Sequence, residues 1–398
     1  MKYKPLSFDV NLSPEGFLVD LNSLFAALTE LGDNRDARGL RYALVTVLVM
    51  IILAKLAGED HLRGIAQWVA LRNEELARVL GLAKPQAPHA TTYSRVLRRA
   101  IDIEEFEQVV SQFFAEQPNA GQSVILNLDG KTLRGTIPAG QSKGVHLLAA
   151  YLPQEGWVLL QVEVNSWENE IPAAMRILKQ VDLRGKIVTG DALLTQRELS
   201  THIVEAGGEY VWKVKDNQGR LKEDIETLFA PESYVPGFSP SHKDFRTATT
   251  WDKGHGRLER RTLTASSLLK DYVNWPYAEQ VFRIERRFLR IRDGKLTEEV
   301  KYGVTSLTAA EASPEQLLAL ERAHWSIENG LHYRRDETFR EDRCRLTGQG
   351  AHAMAVLNNL VLGLLRRRGV DNVPDARRYY AANLDEAAEL ILQAPAPV

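Results

Sequence analysis

Ser123-Val-Ile-Leu-Asn-Leu-Asp129 is an apolar run that ends in a carboxylate. A second stretch, Lys186-Ile-Val-Thr-Gly-Asp191, repeats this pattern. Short runs rich in Val, Ile and Leu that are bounded by turn residues predict buried β-strands. Ligand sites in α/β sheets gather at the carboxyl ends of strands, so we expect Asp129 and Asp191 to share one site.

The segments around these two runs predict a mixed sheet with helices packed on it. Three hairpin-linked strands are followed by alternating helix and strand, which is typical of α/β domains. The predicted strands are Val124–Leu128, Val145–Tyr151, Val158–Val164, Lys186–Thr189 and Glu209–Val214, and the predicted helices are Ile171–Val181 and Leu194–Glu205.

The periodicity changes along the chain and predicts five parts. Apolar residues recur at helical spacing before the first strand, and the segment Gln218 to Val300 is rich in charge, turns and β-like runs. A helix after Pro88 that carries Arg95, Arg98 and Arg99 is a candidate for contact with DNA ends. The parts are an α-helical domain (1–118), the first part of the α/β domain (119–216), a β-rich insertion (217–300), the second part of the α/β domain (301–370) and a C-terminal tail (371–398).

Charge and composition limit the classes of function. The chain has 398 residues, 50 of them basic and 52 acidic, for a net charge of −2. This balance gives no global attraction to nucleic acid, so any DNA contact must be local. The most basic segment is Phe282–Arg292, with five arginines against one glutamate. It is either a DNA contact or the solvated face of a strand.

No feature of the sequence predicts a membrane segment or export. The single cysteine, Cys344, excludes an intrachain disulfide framework. The most apolar run, Ala43–Leu53, is shorter than the roughly 20 residues that span a bilayer, so a buried helix is the better interpretation. The amino terminus lacks the apolar region of a secretory signal. We expect a cytoplasmic protein.

The third informative acid is Glu328, in a stretch with helical periodicity. His324, Glu328, His332 and Arg335 recur at spacings of three and four residues, which predicts that they project from one helix face. A metal-binding glutamate beside groups that touch phosphate is one interpretation. A zinc site built from His324, Glu328 and His332 is the competing one, but it would leave the two strand-end aspartates without a role.

The loop after the first strand carries two basic residues. In Leu128-Asp-Gly-Lys-Thr-Leu-Arg-Gly135, Asp129 is predicted to hold metal while Lys131 and Arg134 meet phosphate. Gly130-Lys-Thr132 matches the end of a nucleotide-binding P-loop, but Ile125 stands where that motif requires glycine. Carboxylates are the ligands that Mg²⁺ prefers, so Asp129, Asp191 and Glu328 together predict Mg²⁺-dependent phosphodiester chemistry.

Six ordered motifs resemble the DDE transposases of bacterial insertion sequences, particularly the H-repeat-associated branch (the ISAs group). The motifs are LDGKTLRG from Leu128, NEIPA from Asn169, VTGDA from Val188, GGEYVWKVKDNQ from Gly207, KGHGRLERR from Lys253, and HWSIENGLHY from His324 with FREDRCR from Phe339. The resemblance covers nearly the whole chain and includes the helical amino-terminal part.

The resemblance implies a ribonuclease-H-like fold in which Asp129, Asp191 and Glu328 form the catalytic triad. It implies Mg²⁺, as two ions and with Mn²⁺ as a substitute, and cleavage at insertion-sequence ends followed by strand transfer to target DNA. The implied partners are double-stranded DNA, as terminal inverted repeats and target, and a second copy of the chain on that DNA.

The resemblance also gives expectations for the residues around the triad. Lys131, Arg134, His324 and Arg335 would position phosphates, and Trp325 would stack on an unpaired base or face the core. Hairpin-forming relatives carry tyrosine and arginine where this chain has Glu321 and His324, so the hairpin route is not implied. The alternative function is a transposase-derived protein that binds DNA without cleaving it.

Overall fold

The computed structural model describes residues 20, 22–116, 123–230, 244–254 and 256–393. The predicted boundary between residues 118 and 119 lies outside these ranges. None of the helices in the described part of the chain combines the length and the apolar content that a membrane crossing requires.

Helices alone form the amino-terminal part. All thirteen residues of the second helix are buried, which explains the most apolar run of the sequence as a core helix. Asp102 begins the sixth helix, where its carboxylate accepts a hydrogen bond from the backbone amide of Glu105. The helices are α1 (Leu24–Thr29), α2 (Leu44–Leu56), α3 (Leu62–Leu71), α4 (Asn73–Val79), α5 (Ala90–Arg95) and α6 (Ile103–Ala115).

The central sheet has the ribonuclease-H-like arrangement that the resemblance implies. Its first five strands are β1 (Ile125–Thr132), β2 (His146–Leu152), β3 (Trp157–Val164), β4 (Ile187–Gly190) and β5 (Glu209–Val214). They lie in the order β3-β2-β1-β4-β5; the first three pair antiparallel, and β1, β4 and β5 run parallel. Helices α7 (Glu170–Leu178) and α8 (Arg197–Glu205) connect the later strands.

The β-rich segment extends this sheet instead of forming a separate one. Its elements are α9 (Gly219–Phe229), β6 (Arg246–Gly254), β7 (Arg257–Ser266), β8 (Gln280–Arg290) and β9 (Leu296–Thr305). Strand β9 pairs antiparallel with β5, and the single nine-stranded sheet continues as β9-β8-β7-β6. Strand β9 also crosses the predicted boundary at residue 300, because it runs without interruption from the insertion into the core.

The carboxyl-terminal part corrects two predictions. Between α10 (Pro314–His324) and α11 (Gln349–Arg367) the chain forms two π-helical turns, Glu328–His332 and Arg334–Thr338. A π turn holds more residues than an α turn, so the predicted α-helical spacing does not keep all four side chains on one face.

Residues 371–398 are not a tail over most of their length. Residues 373–392 form α12 (Val373–Ala382) and α13 (Leu384–Leu392), whose apolar faces are buried, while 394–398 lie outside the described residues. Both helices pack against α2. The reason is amphipathicity: α13 buries Leu384, Ala387, Ala388, Leu390 and Ile391.

Candidate active site

Strand pairing brings the two aspartates side by side. Strands β1 and β4 are parallel, and Leu128 pairs with Gly190, so Asp129 and Asp191 each occupy the next position along adjacent strands. Neighbouring strands lie about 4.8 Å apart. Asp191 directly follows β4, as predicted, whereas β1 continues past Asp129 to Thr132 because it keeps pairing with β2.

A buried chain of hydrogen bonds holds the end of α10 against these strands. The Asn127 amide donates to the Ala323 carbonyl oxygen at 2.8 Å, and the Thr189 hydroxyl donates to Asn127 Oδ1 at 2.7 Å. Thr189 Oγ1 also lies 3.1 Å from His324 Nδ1. Sequence reasoning missed Asn127 and Thr189, although a polar residue inside an apolar strand was the available signal.

The three predicted acids line one cavity. Asp129, Asp191 and Glu328 all face a cavity of ≈ 640 Å³, and His324 and Trp325 contribute to its wall. The acids come from β1, the end of β4 and the segment after α10, which are far apart in sequence. The three acids therefore share one cavity, and their role as a catalytic triad stays a prediction.

The donor set of this cavity fits Mg²⁺. Mg²⁺ binds one or two carboxylates and completes its shell with water and substrate phosphates. Asp129 is partly buried, while Asp191 and Glu328 are open to the cavity. Among the described residues, no three His, Cys, Asp or Glu side chains are close enough to hold one ion together. An ion here would therefore take at most two of these carboxylates and complete its shell with water and phosphate, which is a coordination that Mg²⁺ adopts.

Lysines set the charge of Asp191. Burial alone would raise the pKa of Asp191, but the Ala192 backbone amide and Lys215 lower it below its ordinary value. Lys215 Nζ lies 3.6 Å from Asp191 Oδ1. Burial lowers the pKa of Lys213, which lines the same cavity. Asp191 is therefore ionised at neutral pH and available to a cation.

The two histidines have different surroundings. Burial, followed by Lys213, lowers the pKa of His324 to about 4, so its imidazole is neutral at pH 7. His332 is buried, and its Nε2 lies 3.1 Å from Asp129 Oδ2. The histidines therefore do not converge with Glu328 on one ion, and the zinc interpretation loses its ligand set within the described chain.

Trp325 lies on the surface between two lysines. The residue is 49% exposed, with Lys213 Nζ at 5.8 Å and Lys301 Nζ at 5.7 Å from the ring centroid. Of the two roles open to Trp325, the core-facing one is excluded by this exposure. Stacking on a base stays a prediction.

The predicted phosphate contacts divide into three situations. Arg134 is 81% exposed and accessible to a ligand. Lys131 is mostly buried, and its Nζ lies 2.6 Å from Asp336 Oδ2, so it anchors the second π turn to β1. The prediction that Arg335 contacts phosphate is wrong. Its side chain is fully buried, and it donates hydrogen bonds to Glu341 and Gln161 at 2.8 Å each. In this structure Arg335 is part of the core, not of the DNA-facing surface.

Two protein families match the sequence of this chain. The family described as "Transposase DDE domain" matches residues 120–364, more than half of the chain, and the family described as "DDE_Tnp_1-associated" matches residues 25–114. The chain belongs to the DDE transposase family. The two matched ranges correspond to the helical part and to the α/β part with its inserted strands.

Several curated relatives of this DDE family member carry transposase names. The chain is 27% identical over 355 residues to "Putative transposase YncI" of Escherichia coli O157:H7, covering 87% of this chain and 88% of that protein. It is 24% identical to "H repeat-associated putative transposase YhhI" of Escherichia coli strain K12, over 92% of this chain and 96% of that one.

Among solved structures, a piggyBac transposase in a synaptic complex with hairpin DNA is a distant neighbour. It has 12% identity and a TM-score of 0.44, over 95% of this chain and 80% of that one.

Proposed function

We propose that this chain is a Mg²⁺-dependent DNA transposase that cleaves DNA at insertion-sequence ends and joins the freed 3′-hydroxyls to target DNA. The observation that carries the proposal is the convergence of Asp129, Asp191 and Glu328 on one cavity in a chain of the DDE family. A protein that only binds DNA needs no carboxylates in such a cavity, because they repel phosphate.

Each acid has a distinct surrounding that suits its role. Asp129 and Asp191, on adjacent strands, would hold Mg²⁺, and Glu328 would complete a second position. When bound, the metal stabilises the attacking and leaving oxygens of an in-line displacement at phosphorus. His332 orients the Asp129 carboxylate through its 3.1 Å contact, as outer partners of metal ligands do. Mn²⁺ is expected to substitute for Mg²⁺.

Basic and polar residues in and near the cavity would bind the DNA. Arg134 and the lysines beside Trp325 present positive charge to phosphate, and neutral His324 can donate only a hydrogen bond. The DNA would be double-stranded, as terminal inverted repeats and as target. Joining two ends to one target calls for two active sites, so we expect a homodimer on DNA.

The experiment uses linear DNA that carries the inverted repeats flanking the gene, with Mg²⁺ and the purified chain. Wild type is expected to nick at the repeat ends, and Asp129→Asn, Asp191→Asn and Glu328→Gln are expected to bind the same DNA without nicking it. Cleavage by Asp129→Asn at the wild-type rate would overturn the assignment. Arg184→Gln, at the opposite end of the sheet, is the matched control for expression and folding.

The second candidate is a DNA-binding protein derived from a transposase. Its support is the mixed charge of the cavity, which is lined by Lys213, Lys215, Lys222 and Lys301 as well as by the acids. It predicts specific binding to the terminal repeats with no strand cleavage in either Mg²⁺ or Mn²⁺. The same reaction mixtures therefore separate the two candidates.

A further inference from the structure

A second cavity, of ≈ 540 Å³, opens beside the acidic one. It is lined by Arg261, Arg286, Arg322, Arg334 and Arg366, which we call the arginine groove, and no acidic residue lines it. The arginines come from β7, β8, α10, the second π turn and α11. Five elements thus bring five guanidinium groups to one cavity on a chain whose net charge is −2.

Four of these arginines pair with carboxylates that do not line the groove. Arg322 Nη1 lies 2.6 Å from Asp252 Oδ2, and Arg366 Nη1 lies 2.6 Å from Asp371 Oδ1. Arg261 and Arg286 share Glu259. These pairs hold the guanidinium groups in place but leave the groove itself without a negative charge.

Arg334 differs from the other four. Among the ion pairs of the described chain, none joins Arg334 to a carboxylate, and its Nη1 is buried without a hydrogen-bond partner. The Arg366 Nε atom is also buried without a partner. Buried guanidinium donors almost always have an acceptor. Burial, followed by the neighbouring Arg366, lowers the pKa of Arg334.

The arginine groove lies next to the cavity that the three acids line. Trp325 lines both cavities, so the two adjoin at this residue. On the same turn, Glu328 faces the acidic cavity and Asn329 faces the groove. A chain of phosphates that passes through the acidic cavity would therefore continue directly over Trp325 into the arginine groove.

We propose that the arginine groove binds the phosphodiester backbone of DNA that leaves the acidic cavity, with Arg334 and Arg366 as its central contacts. This inference rests on the proposed function, because it takes the DNA as bound at the three acids. The groove reads no sequence, since arginines that meet phosphate fix position and carry no base information.

The experiment measures binding of the full chain to a 30-base-pair duplex of arbitrary sequence and to its single strand, in Ca²⁺ at several salt concentrations. Each phosphate contact contributes about 0.9 to the slope of log affinity against log salt for duplex DNA and about 0.7 for single strands. We expect Arg334→Gln with Arg366→Gln to lower that slope by about 1–2 and to weaken binding about tenfold or more. If the variant loses affinity mainly for the duplex, the groove binds double-stranded backbone. If it loses affinity mainly for the single strand, the groove binds single-stranded backbone.

Two control variants keep the result interpretable. Arg334→Lys with Arg366→Lys keeps the charge and is expected to retain most of the slope, which a misfolded chain would not. Arg184→Gln removes an exposed arginine at the opposite end of the sheet and is expected to leave the slope unchanged.

The result that overturns the groove differs from the one that overturns the proposed function. If the double glutamine variant binds both probes with the wild-type affinity and slope, the groove is not a DNA contact, while cleavage by wild type still stands. If the wild type cleaves no DNA in Mg²⁺ but the double glutamine variant binds DNA more weakly than the wild type, the groove stands and the proposed cleavage activity fails.

Discussion

Replacing Arg335 with alanine should destabilise the protein without acting through DNA. Arg335 and Glu341 are both buried, and their side chains form a 2.8 Å ion pair that also involves Gln161 and Asn358. Removing one partner of a buried ion pair costs about 3–5 kcal/mol, because the other charge stays buried and unpaired. This loss is large, because the total free energy of unfolding of a protein is about 5–15 kcal/mol.

The assay is urea unfolding followed by circular dichroism and tryptophan fluorescence. Two further variants sharpen it. Arg335→Met combined with Glu341→Leu removes both charges and is expected to be less destabilised than either single variant. Arg134→Ala removes an exposed arginine and is expected to change the stability by no more than about 0.5 kcal/mol.

The pH dependence gives an independent check. Burial alone would raise the pKa of Glu341, but Arg335 lowers it below its ordinary value. A carboxyl whose folded pKa is depressed contributes stability above its unfolded pKa, and this contribution is lost as the pH falls through the folded pKa. The deficit of Arg335→Ala should therefore be largest at neutral pH and shrink in acid. If Arg335→Ala is as stable as the wild type but binds DNA more weakly, the buried position of Arg335 is refuted.

Three further predictions concern other parts of the chain. Burial lowers the pKa of Lys55 to about 8, and Asp60 keeps Arg377 as a partner, so Lys55→Met should stabilise the protein by about 1–3 kcal/mol below pH 8 in urea unfolding. The wild type, but not the variant, should gain stability as the pH rises from about 8 to 10.5. His332→Ala should lower Mg²⁺-dependent cleavage about 10–100-fold with an unchanged dichroism spectrum. Ending the chain at Asp371 removes α12 and α13, which cover α2, and should lower the thermal midpoint.

Each of these predictions has a contrary outcome. A stability difference for Lys55→Met that is the same at pH 7 and pH 10.5 would mean that Lys55 is solvated. Wild-type cleavage by His332→Ala would remove the proposed role of His332 in orienting Asp129. A truncated chain with the full-length midpoint would mean that α12 and α13 contribute no packing.

The amino-acid pattern predicted the local elements and singled out three acids that line one cavity in the structure. Alternation and apolar runs reflect backbone hydrogen bonding and burial within a few residues, so the strands that carry Asp129 and Asp191 were recognisable. The helical character of α2 followed from its apolar run and its length. These features depend on short-range periodicity, which a sequence displays directly.

Only tertiary structure decided how distant segments meet. The sequence could not show that β9 joins the insertion to the central sheet, since strand pairing depends on partners far along the chain. It placed Arg335 on the DNA side by assuming regular α-helical spacing, whereas the π turns and Glu341 direct it into the core.

The arginine groove is the clearest example of a feature that only the tertiary structure decided. Its five arginines are spread from residue 261 to residue 366, and each one alone resembles an ordinary surface charge. Their shared position arises from the packing of α10 and α11 against the sheet. Charge is a property of the sequence, whereas the positive field at one place is a sum over distances that only the folded chain fixes.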